Sequence, residues 1–314
     1  MVTNAIQLRG LHKAYGETAV LRGVDLAVAT GTVTALLGPN GAGKTTAVHI
    51  LSTLVRPDAG AALVNGFDVV REPEGVRAAI GLTGQFSAVD GLMTGEENLM
   101  LMARLRHLGA PRARARVAEL LEQFDLTEAA RKPLATYSGG MKRRLDLAMT
   151  LVSAPSVIFL DEPTTGLDPR SRQTMWDIVR GLVADGTTVL LTTQYLDEAD
   201  RLADNIALLD GGTIVANGSP DQLKKRVPGG HLRLQFGDLP ALAAAQLLLA
   251  GSTADEPSLS LTVPSTGGIG ALREVLDRLD VAHLEIDDLG IHSPNLDDVF
   301  FALTGRATSE ENPS

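Results

Sequence analysis

The residues best suited to chemistry form a glycine-rich run at positions 38–46. The run reads GPNGAGKTT and matches the pattern G-x-x-x-x-G-K-[ST], between a predicted strand and a predicted helix. Glycines let the backbone turn so that successive N–H groups point at phosphate oxygens, and the following helix adds the positive end of its dipole. The sequence therefore predicts a phosphate-binding loop. Its residues are Gly38, Pro39, Asn40, Gly41, Ala42, Gly43, Lys44, Thr45 and Thr46.

Two side chains of this loop and two carboxylates further along the chain predict a centre for phosphoryl chemistry. In this pattern Lys44 reaches the β- and γ-phosphates of a nucleotide, and the Thr45 hydroxyl holds Mg²⁺. The run VIFLDEP at 157–163 is an apolar strand that ends in Asp161 and Glu162. A buried parallel strand delivers its carboxyl end to the ligand crevice, where Asp161 can bind Mg²⁺. Because neighbouring strand residues alternate sides, Glu162 is expected to point elsewhere and to polarise the attacking water as a general base.

One aromatic residue near the amino terminus is a candidate for base recognition. Tyr15 lies in the segment KAYG and is one of only 3 tyrosines in the chain. Its ring could stack on an adenine, or it could serve packing alone, and the sequence leaves both interpretations open.

Two further motifs give the chain a family resemblance. The run YSGGM at 137–141, followed by KRRLDLA, resembles the signature of the ABC ATPases. The run LDEPTTGLDP at 160–169 resembles the acidic strand of that family joined to its D-loop. Order and spacing match over residues 5–225. Within the family, the chain is similar to the daunorubicin/doxorubicin-resistance type, on the runs TTGLDPRSR, LLTTQYLDEAD and LDDVFFALTG.

The resemblance implies a site shared between two identical chains, packed head to tail with two ATP molecules between them. One chain would supply the phosphate loop and the two carboxylates. The other would supply Ser138, Gly139 and Gly140 at the start of a helix, whose N–H groups and dipole suit a γ-phosphate. Asp168 matches the D-loop aspartate that crosses the interface. Gln85 matches the glutamine of the family that contacts Mg²⁺ or the attacking water and relays the nucleotide state to a membrane partner.

Position 194 departs from the commonest family pattern. Most of the family has a histidine there, which contacts the γ-phosphate, whereas this chain has Gln194. Glutamine donates a hydrogen bond but cannot carry a positive charge or titrate near neutral pH. The daunorubicin/doxorubicin-resistance type that the chain resembles also carries glutamine at this position, so we expect a working site. The expected catalytic residues are therefore Lys44, Glu162 and Gln194, with Mg²⁺ held by Thr45, Gln85 and Asp161.

Length and pattern predict one large domain and a small one. The 314 residues are 44% hydrophobic and 21% charged, which is typical of a globular protein with a sizeable core. We expect an α/β ABC nucleotide-binding domain over 1–227, with a RecA-like core, an N-terminal β-subdomain and a helical subdomain near 90–152. A C-terminal α+β domain over 231–305, including a strand at 283–286, and a flexible tail at 306–314 would follow.

Charge and cysteine content exclude several classes of protein. The formal net charge is −10, which argues against a nucleic-acid partner because such proteins present a basic face. The chain has 0 cysteines, which excludes disulfides, thiol catalysis and cysteine-based zinc sites.

The sequence points to work at a membrane from outside the bilayer. Its longest apolar stretch, around 242–250, is far shorter than the roughly 20 residues of a spanning helix. We expect a cytoplasmic ATPase, peripheral on the cell membrane, that powers export of hydrophobic drug or lipid-like compounds through a separate permease. Two alternatives stay open at this point. One is an ABC ATPase of translation or DNA repair, and the other is an ATP-dependent binding protein with negligible turnover, which Gln194 keeps in play.

Overall fold

The computed structural model describes residues 4–84, 88–226, 230–265, 269–292 and 295–305, and contacts divide the chain into the units Met1–Pro220 and Asp221–Ser314. In the first unit the strands are β1 (Asn4–Tyr15), β2 (Thr18–Ala29), β3 (Val33–Leu37), β4 (Ala59–Val64), β5 (Phe67–Asp68), β6 (Ile80–Thr83), β7 (Val157–Asp161), β8 (Thr188–Thr193), β9 (Asn205–Asp210) and β10 (Thr213–Gly218). Its helices are α1 (Lys44–Leu51), α2 (Pro73–Ala79), α3 (Gly95–Leu105), α4 (Ala110–Gln123), α5 (Gly139–Thr150), α6 (Pro169–Ala184) and α7 (Leu196–Leu202).

Strands with different burial patterns form two sheets in this unit. The first is antiparallel, with the order β2-β1-β4-β5, and its strands alternate buried and exposed residues because one face meets solvent. The second has six strands in the order β10-β9-β3-β8-β7-β6, and only β10 runs antiparallel to its neighbour. Every residue of β3, β7 and β8 is buried, as expected of central strands covered on both faces.

Helix α1 lies between the two sheets and joins them in one core. Its apolar residues Val48, Ile50 and Leu51 are fully buried. They belong to one cluster with residues of the antiparallel sheet, such as Ile6, and residues of the parallel sheet, such as Phe159. Because α1 begins at Lys44, this packing fixes the phosphate-binding loop against both sheets.

The segment between β6 and β7 is mainly helical, as the sequence predicts. Helix α3 begins with a capping box in which Thr94 and Glu97 satisfy each other's backbone N–H groups. Helix α4 buries the stripe Ala113, Val117 and Leu120 at three- and four-residue spacing. Helix α5 follows and returns the chain to β7.

The second unit is a small α+β fold of its own. Its strands are β11 (His231–Gln235), β12 (Thr253–Asp255), β13 (Ser260–Pro264) and β14 (Asp288–His292), and its helices are α8 (Pro220–Lys224, which starts at the boundary), α9 (Leu239–Leu248), α10 (Ile269–Val281) and α11 (Leu296–Thr304). The four strands form an antiparallel sheet in the order β12-β13-β11-β14. Leu234, Phe236 and Leu261 are buried at its centre with Leu242 and Ala245 of α9.

The predicted strand at 283–286 is wrong. Helix α10 runs on to Val281, and the N–H groups of His283 and Leu284 then bond back to carbonyls of that helix, with His283 in the left-handed region at φ 54°. Leu284 and Ile286 pack against the core without joining a strand. The strand comes later, as β14, which pairs with β11. The alternation of apolar residues in HLEI reflects packing of a connection.

Of the remaining fold expectations, the positions of the main helices and strands agree with the structure, whereas the domain boundary and the tail are not tested by it. The helices and strands around residues 38–46 and 157–202 lie where the sequence predicts them, within a few residues. The domain boundary at 227–231 stays a prediction, and the tail at 306–314 lies outside the described residues. Within the part of the chain that the structure describes, no helix is long and apolar enough to cross a bilayer.

Phe236 anchors the core of the second unit, so its truncation should destabilise that unit. Phe236 is 1% exposed, and Phe236→Ala is expected to lower the free energy of unfolding by about 3–5 kcal/mol because it leaves a cavity. Hydrogen exchange of the β11 amides measures the effect locally. Phe301→Ala is the matched control, since Phe301 is 57% exposed and its loss should change stability by less than about 0.5 kcal/mol. Equal protection of β11 in both variants would contradict this account of the core.

Candidate nucleotide site

The phosphate-binding loop follows β3 and leads into α1, and close packing requires glycine at two of its positions. A Cβ at Gly38 would collide with the backbone carbonyl of Leu209. Gly43 has φ 108°, and a Cβ there would lie 2.7 Å from the side chain of Leu21 on β2. The neighbouring strands therefore hold the loop in a shape that only glycine permits at these two positions.

Lys44 lies inside this loop, with its ammonium group buried. The side chain is 5% exposed, and Nζ donates to the carbonyls of Gly38 at 2.7 Å and Pro39 at 3.1 Å. Nζ also lies 3.7 Å from Oε1 of Glu162. Burial lowers the pKa of Lys44, while the charges of Glu162 and Asp161 oppose that shift. A buried cation held by two backbone carbonyls is suited to receive a phosphate, which is a stronger acceptor than a carbonyl.

Asp161 and Thr45 place two oxygen ligands side by side. The Thr45 hydroxyl donates to Oδ1 of Asp161 at 3.3 Å, and the Thr192 hydroxyl donates to the same oxygen. Asp161 is 3% exposed at the end of β7, and the parallel register pairs it with Thr192 on β8. Carboxylate and hydroxyl oxygens are the donors that Mg²⁺ prefers, so the residues present fit this ion. Thr192 was not identified from the sequence, although its place at the end of the adjacent strand is a usable signal.

Glu162 lies in the turn that follows β7. Glu162 has φ 49°, a left-handed conformation that is rare for a non-glycine residue and that costs of the order of 1–3 kcal/mol. Its N–H donates to both the carbonyl and the hydroxyl of Thr192, each at 3.1 Å, and these bonds hold the conformation. Because β7 ends at Asp161, alternation along a strand does not apply to Glu162, and the expectation that the two carboxylates point apart stays a prediction.

The signature segment and the D-loop lie next to each other in the same chain. Ser138 caps α5 by accepting from the N–H of Met141 at 3.2 Å. Asp168 caps α6 by accepting from the N–H and the hydroxyl of Ser171, at 3.0 and 2.6 Å, and these bonds lower the pKa of Asp168. A Cβ at Gly140 would collide with the side chain of Ser171, so the two helix starts touch there. Gly139 faces open space.

Gln194 sits in the connection between β8 and α7, at the same sheet edge as Asp161. Its neighbour Tyr195 donates its N–H to the Thr193 hydroxyl at 2.9 Å, and the guanidinium of Arg172 lies 5.2 Å from the Tyr195 ring centre. These contacts fix the connection on both sides of Gln194. They also tie it to α6, the helix that Asp168 caps.

Glu198 is a buried carboxylate that sequence reasoning missed. It lies on α7 at 0% exposure and accepts from the Thr164 hydroxyl at 2.8 Å and the Trp176 ring N–H at 3.2 Å. Burial raises the pKa of Glu198. Because Thr164 belongs to the segment between Glu162 and Asp168, this carboxylate links the Gln194 connection with the D-loop.

The predicted site residues divide into three groups by position. The loop, Thr45, Lys44, Asp161 and Glu162 come together at one edge of the parallel sheet. Ser138 and Asp168 form hydrogen bonds with Met141 and Ser171 instead, among the described residues, so they do not join that group within one chain. Tyr15 ends β1 at 49% exposure, with the Lys13 ammonium 5.5 Å from its ring centre, and is open to a ligand. Gln85 lies outside the described residues.

Comparison with known proteins decides the family. The profile of the ABC transporter family matches residues 21–165. The daunorubicin resistance ATP-binding protein DrrA2 of Streptomyces coeruleorubidus is 52% identical over 309 residues, which are 97% of this chain and 96% of that protein. The chain belongs to the ABC transporter ATP-binding proteins. The family resemblance seen in the sequence is thereby confirmed.

Solved structures agree with this assignment. The ATP-binding subunit of an ABC transporter is 29% identical to the present ABC ATPase with a TM-score of 0.64, over 71% of this chain and 93% of that one. A dimeric ATP-binding cassette in a post-hydrolysis state, bound to ADP and phosphate, is 25% identical with a TM-score of 0.62, over 68% and 98% of the two chains. The predicted α/β ABC ATPase fold is confirmed, and so is the prediction of an ATP-binding subunit of an ABC transporter.

Burial of Glu198 should make the stability of this ABC ATPase depend on pH. Because the folded-state pKa is raised, the folded state binds the proton more tightly than the unfolded state, and stability is lost as pH rises from about 4.5 through that pKa. Glu198→Gln keeps an acceptor oxygen for Thr164 and Trp176 but does not titrate. Its stability relative to the parent, measured by urea unfolding from pH 4 to 7, is therefore expected to increase with pH.

Two variants complete this test. Glu198→Ala removes the acceptor altogether and should be about 1–3 kcal/mol less stable than Glu198→Gln at each pH, with the same pH trend relative to the parent. Asp185→Asn removes a carboxylate from an exposed position and is the control for the loss of one negative charge. A pH-independent difference for Glu198→Gln would show that the carboxyl is not the source of the effect.

Proposed function

We propose that this ABC ATPase powers the export of hydrophobic drug or lipid-like compounds through a separate membrane permease. The observation that carries the proposal is the 52% identity to a daunorubicin resistance ATP-binding protein, since it covers 97% of the chain, including the C-terminal unit. A Nod factor export ATP-binding protein of Ralstonia nicotianae is also 37% identical over 97% of the chain, which supports export as the direction. The chain would act at the cytoplasmic face of the cell membrane.

The residues of the phosphate loop bind and orient ATP in this proposal. Backbone N–H groups of residues 38–46 and the start of α1 receive the phosphates, and Lys44 exchanges its carbonyl partners for β- and γ-phosphate oxygens. Thr45 and Asp161 would hold Mg²⁺, with Gln85 as a further ligand. This ion neutralises charge on the phosphates when it is bound. Tyr15 would stack on the adenine ring.

Glu162 is the proposed general base. Its carboxylate accepts a proton from a water molecule while the water oxygen bonds to the γ-phosphorus, and the bond from that phosphorus to the ADP oxygen breaks. Its position 3.7 Å from the Lys44 ammonium keeps the carboxylate beside the phosphate-binding group. Gln194 donates a hydrogen bond to the γ-phosphate without titrating, so the pH profile of turnover has no histidine step.

The second half of each site comes from a second copy of the chain. The hydrogen bonds of Ser138 and Asp168 stay within their own helix caps, which leaves Gly139 and the exposed starts of α5 and α6 available to another molecule. The dimeric cassette to which the chain is similar supports a two-chain assembly. ATP binding would close the homodimer, hydrolysis would reopen it, and the cycle would drive the permease between its access states.

Glu162→Gln should trap an ATP-bound dimer because the base is lost while the phosphate contacts remain. Turnover of purified protein is expected to fall by roughly a hundredfold or more, with ATP affinity retained. Light scattering with MgATP should show a stable dimer. Lys44→Ala is the companion variant and should instead weaken ATP binding by about tenfold or more, because a charge-assisted contact is removed. Wild-type turnover in Glu162→Gln would show that the base is a different group.

The permease assignment is tested by isolating the tagged full chain from gently solubilised native membranes. A membrane protein with several spanning helices, recovered in stoichiometric amount and absent when the tag alone is expressed, is the expected result. The amount of this membrane protein that stays bound to the tagged chain would then be compared with and without MgATP. Recovery of ribosomes or DNA-repair proteins, with no membrane protein, would contradict the proposal and favour a soluble ABC ATPase.

A further inference from the structure

Helix α5 carries a buried arginine that reaches the acidic loop of the nucleotide site. Arg143 lies at 12% side-chain exposure, between the signature start of α5 and its end. Its Nε donates to the carbonyl of Pro163 at 2.9 Å, and its Nη2 lies 3.3 Å from the carbonyls of both Asp161 and Glu162. One guanidinium thus binds the backbone of three successive residues, which include the proposed metal ligand and base.

The same guanidinium also holds the end of β6. Nη1 donates to the carbonyl of Gly84 at 2.8 Å and to Oδ2 of Asp146 at 3.3 Å. Asp146, one turn further along α5 and 3% exposed, accepts from the N–H of Ala88 at 3.0 Å. Gly84 and Ala88 are the described residues on either side of Gln85. Arg143 and Asp146 therefore bind the backbone at Gly84 and at Ala88 from a single helix.

Burying the ion pair of Arg143 and Asp146 carries an energetic cost. Burial lowers the pKa of Arg143 and raises the pKa of Asp146, so each charge is kept by its partner and by hydrogen bonds. Removing one member of a buried pair leaves the other uncompensated. The planar fork of arginine spreads five N–H donors over three nitrogens and here bonds four carbonyls and a carboxylate, whereas a lysine ammonium has only three donors on one nitrogen.

We propose that Arg143 is a positioning residue that joins the two half-sites of one chain. Ser138 and Gly139, at the start of α5, meet the nucleotide of the other chain, while Asp161 and Glu162 serve the chain's own nucleotide, so this inference rests on the proposed two-chain function. Arg143 transmits the position of the acidic loop to α5. When the fork is lost, the phosphate loop still binds ATP, but the signature start is no longer held where a second chain requires it.

The test measures ATP-driven dimerisation and ATP affinity separately in the full chain carrying Glu162→Gln. Adding Arg143→Lys is expected to raise the dimer dissociation constant with MgATP by about tenfold or more. The ATP dissociation constant, measured by competition with a fluorescent nucleotide at dilute protein, should change by less than about twofold. Adding Asp146→Asn should weaken the dimer in the same direction.

Arg144→Lys is the matched control on the next residue of α5. Arg144 is 17% exposed and bonds to the carbonyl of Phe124 at 2.9 Å and to Asp125 at 3.1 Å, away from the acidic loop. Arg144→Lys should leave the dimer dissociation constant unchanged. Thermal unfolding of Arg143→Lys and Arg144→Lys shows whether the two variants are equally stable. The proposal is overturned if Arg143→Lys dimerises like the parent, because charge alone then suffices, or if its ATP affinity falls as much as its dimerisation.

The chain with Glu162→Gln alone distinguishes a failure of two-chain assembly from a failure of the positioning role. If the chain with Glu162→Gln alone does not dimerise with MgATP, the two-chain assignment itself is wrong and the role of Arg143 falls with it. If the parent dimerises and the Arg143 variant also does so, only the positioning role is wrong.

Discussion

The parallel register of β3, β8 and β7 is the constraint on which the rest of the site depends. It brings the carboxyl ends of these strands to one edge, with the phosphate loop after β3, Gln194 after β8 and the acidic pair at the end of β7. Because Asp161 pairs with Thr192, the hydroxyl and the carbonyl of Thr192 lie where the N–H of Glu162 donates to both. A shift of one residue in this register would separate these groups and leave the loop without its carboxylates.

Several energetically unfavourable features of the described residues lie around this edge. Lys44 is a buried cation, Glu162 has a strained backbone, and Asp146 and Glu198 are buried carboxyls with raised pKa values. Such features persist only where the surrounding structure over-determines them, and here Thr192, Arg143 and the core around α1 do so. The arrangement places charge where phosphates arrive, so ligand binding relieves part of the penalty that folding leaves.

The motifs that sequence reasoning found are those whose residues are contiguous. The loop at 38–46, the strand at 157–161 and the helix start at 138–140 each carry their pattern within a few residues, and the matching elements lie where expected. The missed features depend on contacts between distant segments. Neither the turn at Glu162 nor the reach of Arg143 to β6 and β7 leaves a local pattern, and the segment 283–286 shows that alternation of apolar residues alone does not identify a strand.

The absence of cysteine permits a direct test of the composite site. Asn40 and Gly139 are both exposed, and a side chain at Gly139 would meet open space, so Asn40→Cys and Gly139→Cys should both fold. The two variants, each also carrying Glu162→Gln, are mixed and oxidised with and without MgATP. The account predicts a disulfide-linked dimer that forms with MgATP and requires both variants. Cross-linking that is absent, or equal with and without nucleotide, would contradict a nucleotide held between the loop of one chain and the signature helix of another.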